Sequence, residues 1–174
     1  MGENDFNTKI QEIQDELNEI QQYLRVNNLE IVGLPAANEE EPEETLILHA
    51  LNELRGLPDA IRPEDIDISH PLPTKRSDGM NVHSVKFISR KTKFNILTAK
   101  KAEQNKNFKF RNNDVFINEH LSPTNRSLFA AANGKKRQLG YKFCWTKGGK
   151  ILMRKTEESE VISIKCQSDL NNLA

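Results

Sequence analysis

The residues of this chain that could do chemistry are cations interleaved with aromatic rings. The stretch His83–Asn113 holds nine Lys or Arg residues and a single acidic residue. The stretch Tyr141–Lys155 interleaves three aromatic residues with five Lys or Arg residues. Ammonium and guanidinium groups neutralise the phosphates of a nucleic-acid backbone, and aromatic rings stack on its unpaired bases. These residue types therefore indicate a protein that binds a polyanion.

The charges of the chain are segregated although they cancel overall. The sequence has 25 basic and 25 acidic residues. Residues Lys75–Lys155 carry 20 of the basic and four of the acidic residues, a local charge of +16 that the rest of the chain balances. A field of that size attracts polyanions whatever the isoelectric point. The alternative is that the two parts neutralise each other within the fold, which would draw many lysines into internal pairs at a large desolvation cost.

The candidate nucleic-acid contacts are the cations of this basic region and one tryptophan. They are Lys75, Arg76, Lys86, Arg90, Lys91, Lys93, Lys100, Lys101, Lys109, Arg111, Lys135, Lys136, Arg137, Lys142, Trp145, Lys147, Lys150, Arg154 and Lys155. The consecutive cations Lys135, Lys136 and Arg137 have an alternative role, because they end a predicted helix, where cations also favour the helix dipole.

Alternation along "YKFCWT" separates the aromatic residues from their neighbours. In a strand, Tyr141, Phe143 and Trp145 share one face, and the residues between them share the other. Because one face must be core, we expect the three aromatic rings to pack inside. Trp145, near the strand end, is the ring that could serve as a stacking platform.

Constellations for other chemistry are missing from the sequence. The four His residues are scattered, without helical pairing and without a carboxylate at motif spacing. There is no Walker glycine loop and no G-x-S-x-G stretch. Cys144 and Cys166 have neither a metal-ligand spacing nor a disulfide framework, so we expect both to be reduced core residues. We therefore expect no enzyme, no cofactor and no metal.

The first element that would position these residues is a coiled-coil helix. Apolar residues recur there at spacings of four and three, with polar residues between them. These heptad positions, where we expect oligomerisation, are Phe6, Ile10, Ile13, Leu17, Ile20 and Leu24. Leu or Ile at a with Ile at d favours trimers or tetramers over dimers. The alternative is an amphipathic helix packed on its own domain.

The middle of the chain predicts strands and helices in the order β-α-β-β-α-β. Strands are expected at "LEIVGLP", "EDIDISHPLP", "VHSVKFIS" and "DVFIN", with the second broken by its prolines. One helix is expected after Pro42 up to Gly56, and one from Lys91 to about Ala102 with Phe94 on its apolar side. This order is the ferredoxin-like plan, which RRM modules share. Glu30, however, stands where an RRM usually offers an aromatic, so base stacking on that sheet is weakly supported.

The last third predicts a second small unit. Ser122 and Pro123 begin a helix that ends at Gly140. A hairpin follows around Gly148-Gly149, then a strand at "SEVISIKC" and a short helix capped at Ser168-Asp169. The predicted fold class is α+β, with a coiled-coil segment at 1–27, an RRM-like domain at 28–119 and a basic C-terminal domain with the hairpin at 120–174.

Several phrases carry a family resemblance. They are "RVNNLEIVGLP", "DIDISHPLP", "VKFISRKTKFNIL", "VFINEHLSPTNRSLF" and "LGYKFCWTKGGKILMRK", of which "INEHLSP" and "GYKFCWTKGGKI" are the most specific. From about Phe6 to Leu173 the chain resembles the FP-type protein, which is found in two settings. One is the first-open-reading-frame protein of insect non-LTR, LINE-type retrotransposons, and the other is the baculovirus few-polyhedra protein.

The resemblance implies a coiled-coil homotrimer that binds single-stranded RNA or DNA, acts as a nucleic-acid chaperone and coats the element's RNA. It implies that two cationic pairs, Lys75-Arg76 and Lys100-Lys101, grip the backbone together with the basic C-terminal hairpin. The family pattern often has Arg after the His of "SHPLP", where this chain has Pro71, which puts one cationic contact in doubt.

Two functions from different classes follow as expectations. The first is sequence-tolerant binding of single-stranded nucleic acid by a retrotransposon-type ribonucleoprotein component. The second is a coiled-coil scaffold, as in the viral relatives, which binds a protein partner and uses its charge for solubility. With no apolar run of membrane length and no signal peptide, we expect an intracellular protein, of the cytoplasm or the nucleus, without a membrane partner.

Overall fold

A computed structural model describes residues 2–73 and 80–174, a mixed α/β protein with five helices and antiparallel sheets in the described part of the chain. It divides into two compact units. Unit 1 comprises Met1–Val26 and Leu121–Ala174, and unit 2 comprises Asn27–His120. The N-terminal helix therefore belongs to the same compact unit as the C-terminal segment. None of the helices in the described ranges is long and apolar enough to cross a membrane.

Unit 2 is built on a four-stranded sheet. Its main elements are β1 (Asn28–Val32), α2 (Glu43–Asn52), β2 (Ile66–Leu72), β3 (Val82–Phe87), α3 (Arg90–Lys101) and β6 (Phe116–Glu119). The strands are antiparallel in the order β2-β3-β1-β6. These main elements follow one another in the predicted order, with two 3-10 turns and a short hairpin in addition among the described residues. The second strand runs through Pro71 to Leu72, which is possible because β2 is an edge strand, where a missing N–H is tolerated.

The core of unit 2 lies between one face of this sheet and the helices. Leu29 and Ile31 of β1 and Val85 of β3 are fully buried there against residues such as Leu46 and Ile96. Alternation puts Glu30 and Ser84 on the opposite face. Phe94, which the sequence assigned to the apolar side of α3, is 65% exposed, so that assignment was wrong. The inward positions of α3 are Lys93, Ile96 and Ala99.

The segment before β6 holds structure that the sequence did not predict. After the 3-10 turn Glu103–Asn105, a short hairpin pairs β4 (Lys109–Phe110) with β5 (Asn113–Asp114). Arg111 and Asn112 adopt positive φ angles of 49° and 67° at its turn. Such two-residue turns normally require Gly or Asn, and Arg in this position gave no recognisable turn pattern.

Unit 1 contains a three-stranded sheet covered by a helix. Its elements are α1 (Glu3–Tyr23), α4 (Pro123–Leu139), β7 (Phe143–Lys147), β8 (Lys150–Arg154), β9 (Ile162–Ile164) and α5 (Gln167–Asn171). Ser122 caps α4 by accepting from the Asn125 N–H, and Gly140 ends it with φ of 70°. The last helix begins earlier than predicted, at the N-cap Cys166, where Asp169 accepts from the N–H groups of Lys165 and Cys166.

The side of α1 that lies opposite its apolar heptad residues contacts the rest of unit 1 through a cluster of polar side chains. Asn18 Nδ2 donates to Asn125 Oδ1 at 3.0 Å, and Ser122 Oγ donates to Asn18 Oδ1 at 2.5 Å. Gln22 Oε1 accepts from the Ser122 N–H at 2.9 Å and from Asn125 Nδ2 at 3.1 Å. We call Asn18, Gln22, Ser122 and Asn125 the amide clasp. It attaches α1 to α4 without using the apolar heptad residues of α1.

Candidate nucleic-acid interface

The sheet of unit 1 has one face against α4 and one open face. Met153 and Ile151 of β8 are buried against Leu128 and Ala132 of α4, and Cys144 packs with them. Because directly opposed residues share a face, Phe143 and Trp145 lie on the other side. The prediction that the aromatic residues pack inside is therefore right for Tyr141, which is 7% exposed, and wrong for Phe143 and Trp145.

The open face combines half-buried rings with cations. Trp145 lies opposite Leu152, Phe143 opposite Arg154, and Lys147 opposite Lys150. We call these six residues the aromatic face. Both rings are half-buried, which leaves part of each accessible, and the two lysines are exposed. The three strands contain no acidic residue. Such a face can stack on bases and neutralise phosphates on the same side of one sheet.

Arg154 is held in place at the aromatic face. Its Nε donates to the Ser159 carbonyl at 2.7 Å. Within the described part of the chain, no carboxylate forms an ion pair with it. A guanidinium fixed at Nε and not neutralised presents its remaining N–H groups in a planar fork, which suits phosphate oxygens.

The cations that flank this face are partly engaged within the chain. Lys142 Nζ lies 5.4 Å from the centroid of the Phe143 ring and also forms an ion pair with Glu157. Lys155 Nζ lies 5.8 Å from the Tyr141 ring and donates to the Ala174 carbonyl at 3.2 Å. Because the ion pair of Lys142 with Glu157 is exposed, it contributes little stability and would give way to a bound phosphate at small cost.

The three cations at the end of α4 fit their structural role. Arg137 Nε donates to the Asn133 carbonyl one turn earlier, at 3.3 Å. Lys135 and Lys136 are half-buried, and Lys136 and Arg137 occupy the last turn, where the helix dipole favours cations. Their contact with nucleic acid remains a prediction.

In unit 2, two of the candidate cations are directed into the fold. Lys93 is 7% exposed and pairs with Glu119 at 3.4 Å, and burial holds the pKa of its ammonium below the ordinary value. Lys100 Nζ donates to the Ile117 carbonyl and approaches Asn118 Oδ1 at 3.4 Å. Burial, with Lys101 beside it, also lowers the pKa of Lys100. In this arrangement Lys93 is an internal partner of β6, because moving it to a ligand would break a buried ion pair.

Other candidates of unit 2 form ion pairs at its surface. Lys86 pairs with Asp67 at 3.0 Å and Lys109 with Asp114 at 2.8 Å. Arg111 donates twice to Glu41, at 2.5 and 2.7 Å, and this pair lowers the pKa of Glu41 to about 2. The remaining candidates there, Arg90, Lys91 and Lys101, are exposed. Lys75 and Arg76 lie outside the described residues.

The second face of the four-stranded sheet is unlike a base-stacking surface in its two central strands, β1 and β3. Of the described residues, β1 contributes Asn28, Glu30 and Val32 to it and β3 contributes Val82, Ser84 and Lys86, so these two strands offer no ring. Glu30 is 6% exposed, and His120 Nε2 lies 3.7 Å from its carboxylate. Ser84 Oγ lies 3.1 Å from His120 Nδ1. This polar cluster accounts for a charged residue at the position where an RRM usually has a ring.

The two cysteines differ from each other. Cys144 is half-buried against the core of unit 1, and burial raises the pKa of its thiol. Cys166 is exposed at the N-terminus of α5, so the expectation that it is a core residue was wrong. Alternation along "SIKC" did not reveal this, because β9 ends at Ile164.

The six heptad residues of α1 are all exposed in the single chain. Their exposed fractions range from 51% for Ile10 to 66% for Leu24. On α1 these six residues form a continuous apolar stripe. The two α1 residues of the amide clasp, Asn18 and Gln22, lie on the opposite side of the helix. The alternative prediction was an amphipathic helix packed on its own domain. The helix α1 does contact its own unit, but through the polar residues of the amide clasp, and the apolar stripe stays exposed in the single chain.

The C-terminal segment of the chain is similar to a known protein family. Residues 122–174 match the family model described as Baculovirus FP protein domain 2. That span begins at the N-cap of α4 and includes the whole aromatic face. A search of curated proteins found no match.

Proposed function

We propose that this protein binds single-stranded nucleic acid through the aromatic face of unit 1. The observation that carries the proposal is the pairing of Phe143 with Arg154 and of Trp145 with Leu152 on an open sheet face that also holds Lys147 and Lys150. Rings with accessible area stack on any base, and cations bind any phosphate, so the binding is tolerant of sequence.

The same geometry favours single strands over duplexes. In a duplex the bases are stacked on each other, and their faces are closed to a protein ring. Phe143 and Trp145 can stack only on bases that are already unpaired or that the protein helps to unpair. A protein that binds unpaired strands and exchanges them readily supports strand annealing, which is the chaperone activity we propose.

We further propose that copies of the chain assemble through the apolar stripe of α1 into a homotrimer. An exposed row of Phe, Ile and Leu at heptad spacing favours association with other helices, because that removes apolar surface from water. Trimeric assembly would bring three aromatic faces to one strand and raise avidity without a new contact. Coating of an element's RNA by such trimers is the role we propose from the likeness to FP-type proteins.

Unit 2 supports this role as an RRM-like module that grips the backbone. The support is its β-α-β-β-α-β succession and its sheet order β2-β3-β1-β6. Because β1 and β3 carry no ring on the second face, we assign most base stacking to unit 1. To unit 2 we assign phosphate contacts and at most one stacking ring, Phe116 of β6.

The experiment is fluorescence anisotropy with labelled single-stranded RNA, single-stranded DNA and duplex at several salt concentrations. The proposal predicts that both single strands bind more tightly than the duplex. It also predicts a linear fall of log K with log salt, whose slope gives the number of neutralised phosphates. Equal binding of duplex and single strand, or none at low salt, would overturn it.

One observation favours a second function, a coiled-coil scaffold for a protein partner. An apolar stripe of six exposed residues on α1 could receive a helix of another protein instead of a second copy. This reading predicts a wild-type chain that is monomeric alone and whose partner binding is insensitive to salt. Sedimentation of the purified chain therefore separates the two functions.

A further inference from the structure

Unit 2 contains a cleft that the aromatic face does not use. The cleft has a volume of about 540 Å³ and lies between the end of α3, the β4–β5 hairpin and β6. Its lining includes Lys100, Lys106, Phe108, Lys109, Phe116 and Asn118. This volume lies within the range of sites for small ligands, roughly 300–1,000 Å³.

The charge of the cleft suits an anion. Three lysines line it against one acidic residue, Asp114. Lys109 pairs with Asp114 at 2.8 Å and Lys106 with Glu103 at 3.2 Å, but both pairs are exposed. Exposed pairs contribute at most about 1 kcal/mol, so a phosphate can take over either ammonium at low cost. Lys100, held by the Ile117 carbonyl, keeps a third positive charge at the wall.

The apolar part of the cleft suits a base. Phe116 lies on β6 and is 51% exposed, and Phe108 is half-buried. The amide of Asn118, exposed and on the same strand, can bond the edge of a base placed on such a ring. Asn107 adopts φ of 58°, a conformation that Asn tolerates, and turns the chain around the same opening.

From this combination of cations, an accessible ring and side-chain amides, we propose that the cleft binds one nucleotide of the bound strand. The phosphate would lie at Lys106 and Lys109, and the base on Phe116. The proposal rests on the proposed function and adds a contact that the aromatic face cannot make, since all lining residues belong to unit 2.

Photo-crosslinking of the full chain to a thiouridine-containing oligonucleotide, with mass spectrometry of the modified peptides, tests the cleft. The expected result is adducts in the peptide that covers 108–118, in addition to adducts in 143–147. Phe116→Leu keeps an apolar side chain at an exposed position, so it should fold, with its thermal midpoint as the check. It should remove the 108–118 adducts and weaken strand binding about five- to a hundredfold, the effect of removing one base stack.

Phe94→Leu is the matched control, because Phe94 is an exposed ring on α3 outside the cleft. It should leave both adducts and the affinity unchanged. Lys106→Gln with Lys109→Gln should weaken binding and lower the salt slope by about 0.7, the value for the one phosphate that is no longer neutralised.

The possible failures are distinguishable. Strong strand binding with adducts confined to 143–147 would overturn the cleft and leave the proposed function standing. If no oligonucleotide bound at low salt and no peptide were modified, both would fall. If millimolar free UMP removed the 108–118 adducts and spared those at 143–147, the cleft would be a site for free nucleotides, which would overturn the strand contact.

Discussion

Phe143 and Arg154 are direct cross-strand partners, so a ring and a guanidinium stand side by side on the open face of the unit 1 sheet. The Ser159 carbonyl holds Arg154 by its Nε at 2.7 Å. A nucleotide contains a flat base and an anionic phosphate. Phe143 can stack on the base while the neighbouring Arg154 binds the phosphate. The predictions about binding depend on this arrangement.

Replacing Trp145 by Leu should weaken binding of single strands. The change removes one stacking ring but keeps an apolar residue opposite Leu152. Removal of one base stack costs about 1–3 kcal/mol, so Kd should rise roughly five- to a hundredfold. Anisotropy with a labelled oligonucleotide measures the change. Thermal denaturation should show only a small decrease of the midpoint, because Leu keeps an apolar side chain at this half-buried position. Unaltered affinity would mean that the ring does not contact the strand.

Replacing Lys147 and Lys150 by Gln should act mainly through salt dependence. For single strands, each phosphate that is no longer neutralised lowers the slope of log K against log salt by about 0.7. The slope of the double variant should therefore be smaller by about 1.4, and its binding at low salt should be weaker. Arg62→Gln, which removes a charge paired with Asp65 in unit 2, is the control and should keep the slope. Equal slopes in both variants would contradict the assignment.

Replacing Ile13 and Leu17 by Asp should convert the assembled protein into a monomer. Burial of each such side chain is worth about 1.5–3 kcal/mol, and the new charges would have to be desolvated in a coil. Both residues are more than half exposed in the single chain, at 64% and 52%, so the fold of the monomer should survive. Sedimentation equilibrium gives the mass. Glu12→Gln should stay assembled, whereas a monomeric wild type would refute the trimer.

Glu41 should stabilise unit 2 at neutral pH and lose this effect in acid. Its pKa is lowered from the ordinary 4.5 to about 2, first by the hydrogen bonds from Arg111 and then by His49. A carboxyl whose pKa is lower in the folded state contributes stability above the unfolded value and loses it as the pH falls towards the folded one. Glu41→Gln should therefore destabilise the protein at pH 7 more than at pH 2. Urea unfolding at both values, with Glu39→Gln as a neutral control, measures the difference; a constant difference would contradict it.

Gly149→Ala should destabilise unit 1 for two separable reasons. Gly149 has φ of 76°, and a Cβ there would lie 2.5 Å from the Gln22 side chain. The left-handed conformation alone costs about 1–2 kcal/mol for a residue with a Cβ. The clash adds to this because Gln22 is held by Ser122 and Asn125. In a double-mutant cycle, Gln22→Ala should recover part of the loss, and strict additivity of the two changes would argue against the contact.

Local rules predicted much of the fold. The N-cap Ser122, the Pro123 that follows and the left-handed Gly140 fix both ends of α4, and Gly148-Gly149 fixes the hairpin, as expected. These signals work because each depends only on residues close in sequence. The β4–β5 hairpin was missed because Arg111 is an unusual residue at positive φ.

The candidate site was less predictable, because the relevant choices depend on packing. Alternation showed that Phe143 and Trp145 share a face, but the packing of α4 decides which face is core. The core of unit 1 contains Met153 of the opposite face together with Ala132 of α4. Likewise, the count of cations could not reveal that Lys93 lies inside, since its partner Glu119 is 26 residues away in sequence. Aromatic residues of strands are buried on average, and for Phe143 and Trp145 a prediction based on that average was wrong.

The most direct test of the central claim is the emission of Trp145 during titration with single-stranded RNA or DNA. The chain contains one Trp, so the signal comes from the aromatic face alone. Stacking of a base on the indole should quench and shift this emission, saturating at the same concentration as the anisotropy of the labelled strand, with a much smaller effect from duplex. An unchanged emission while the anisotropy saturates would mean that the strand binds elsewhere, and the aromatic face would not be the site.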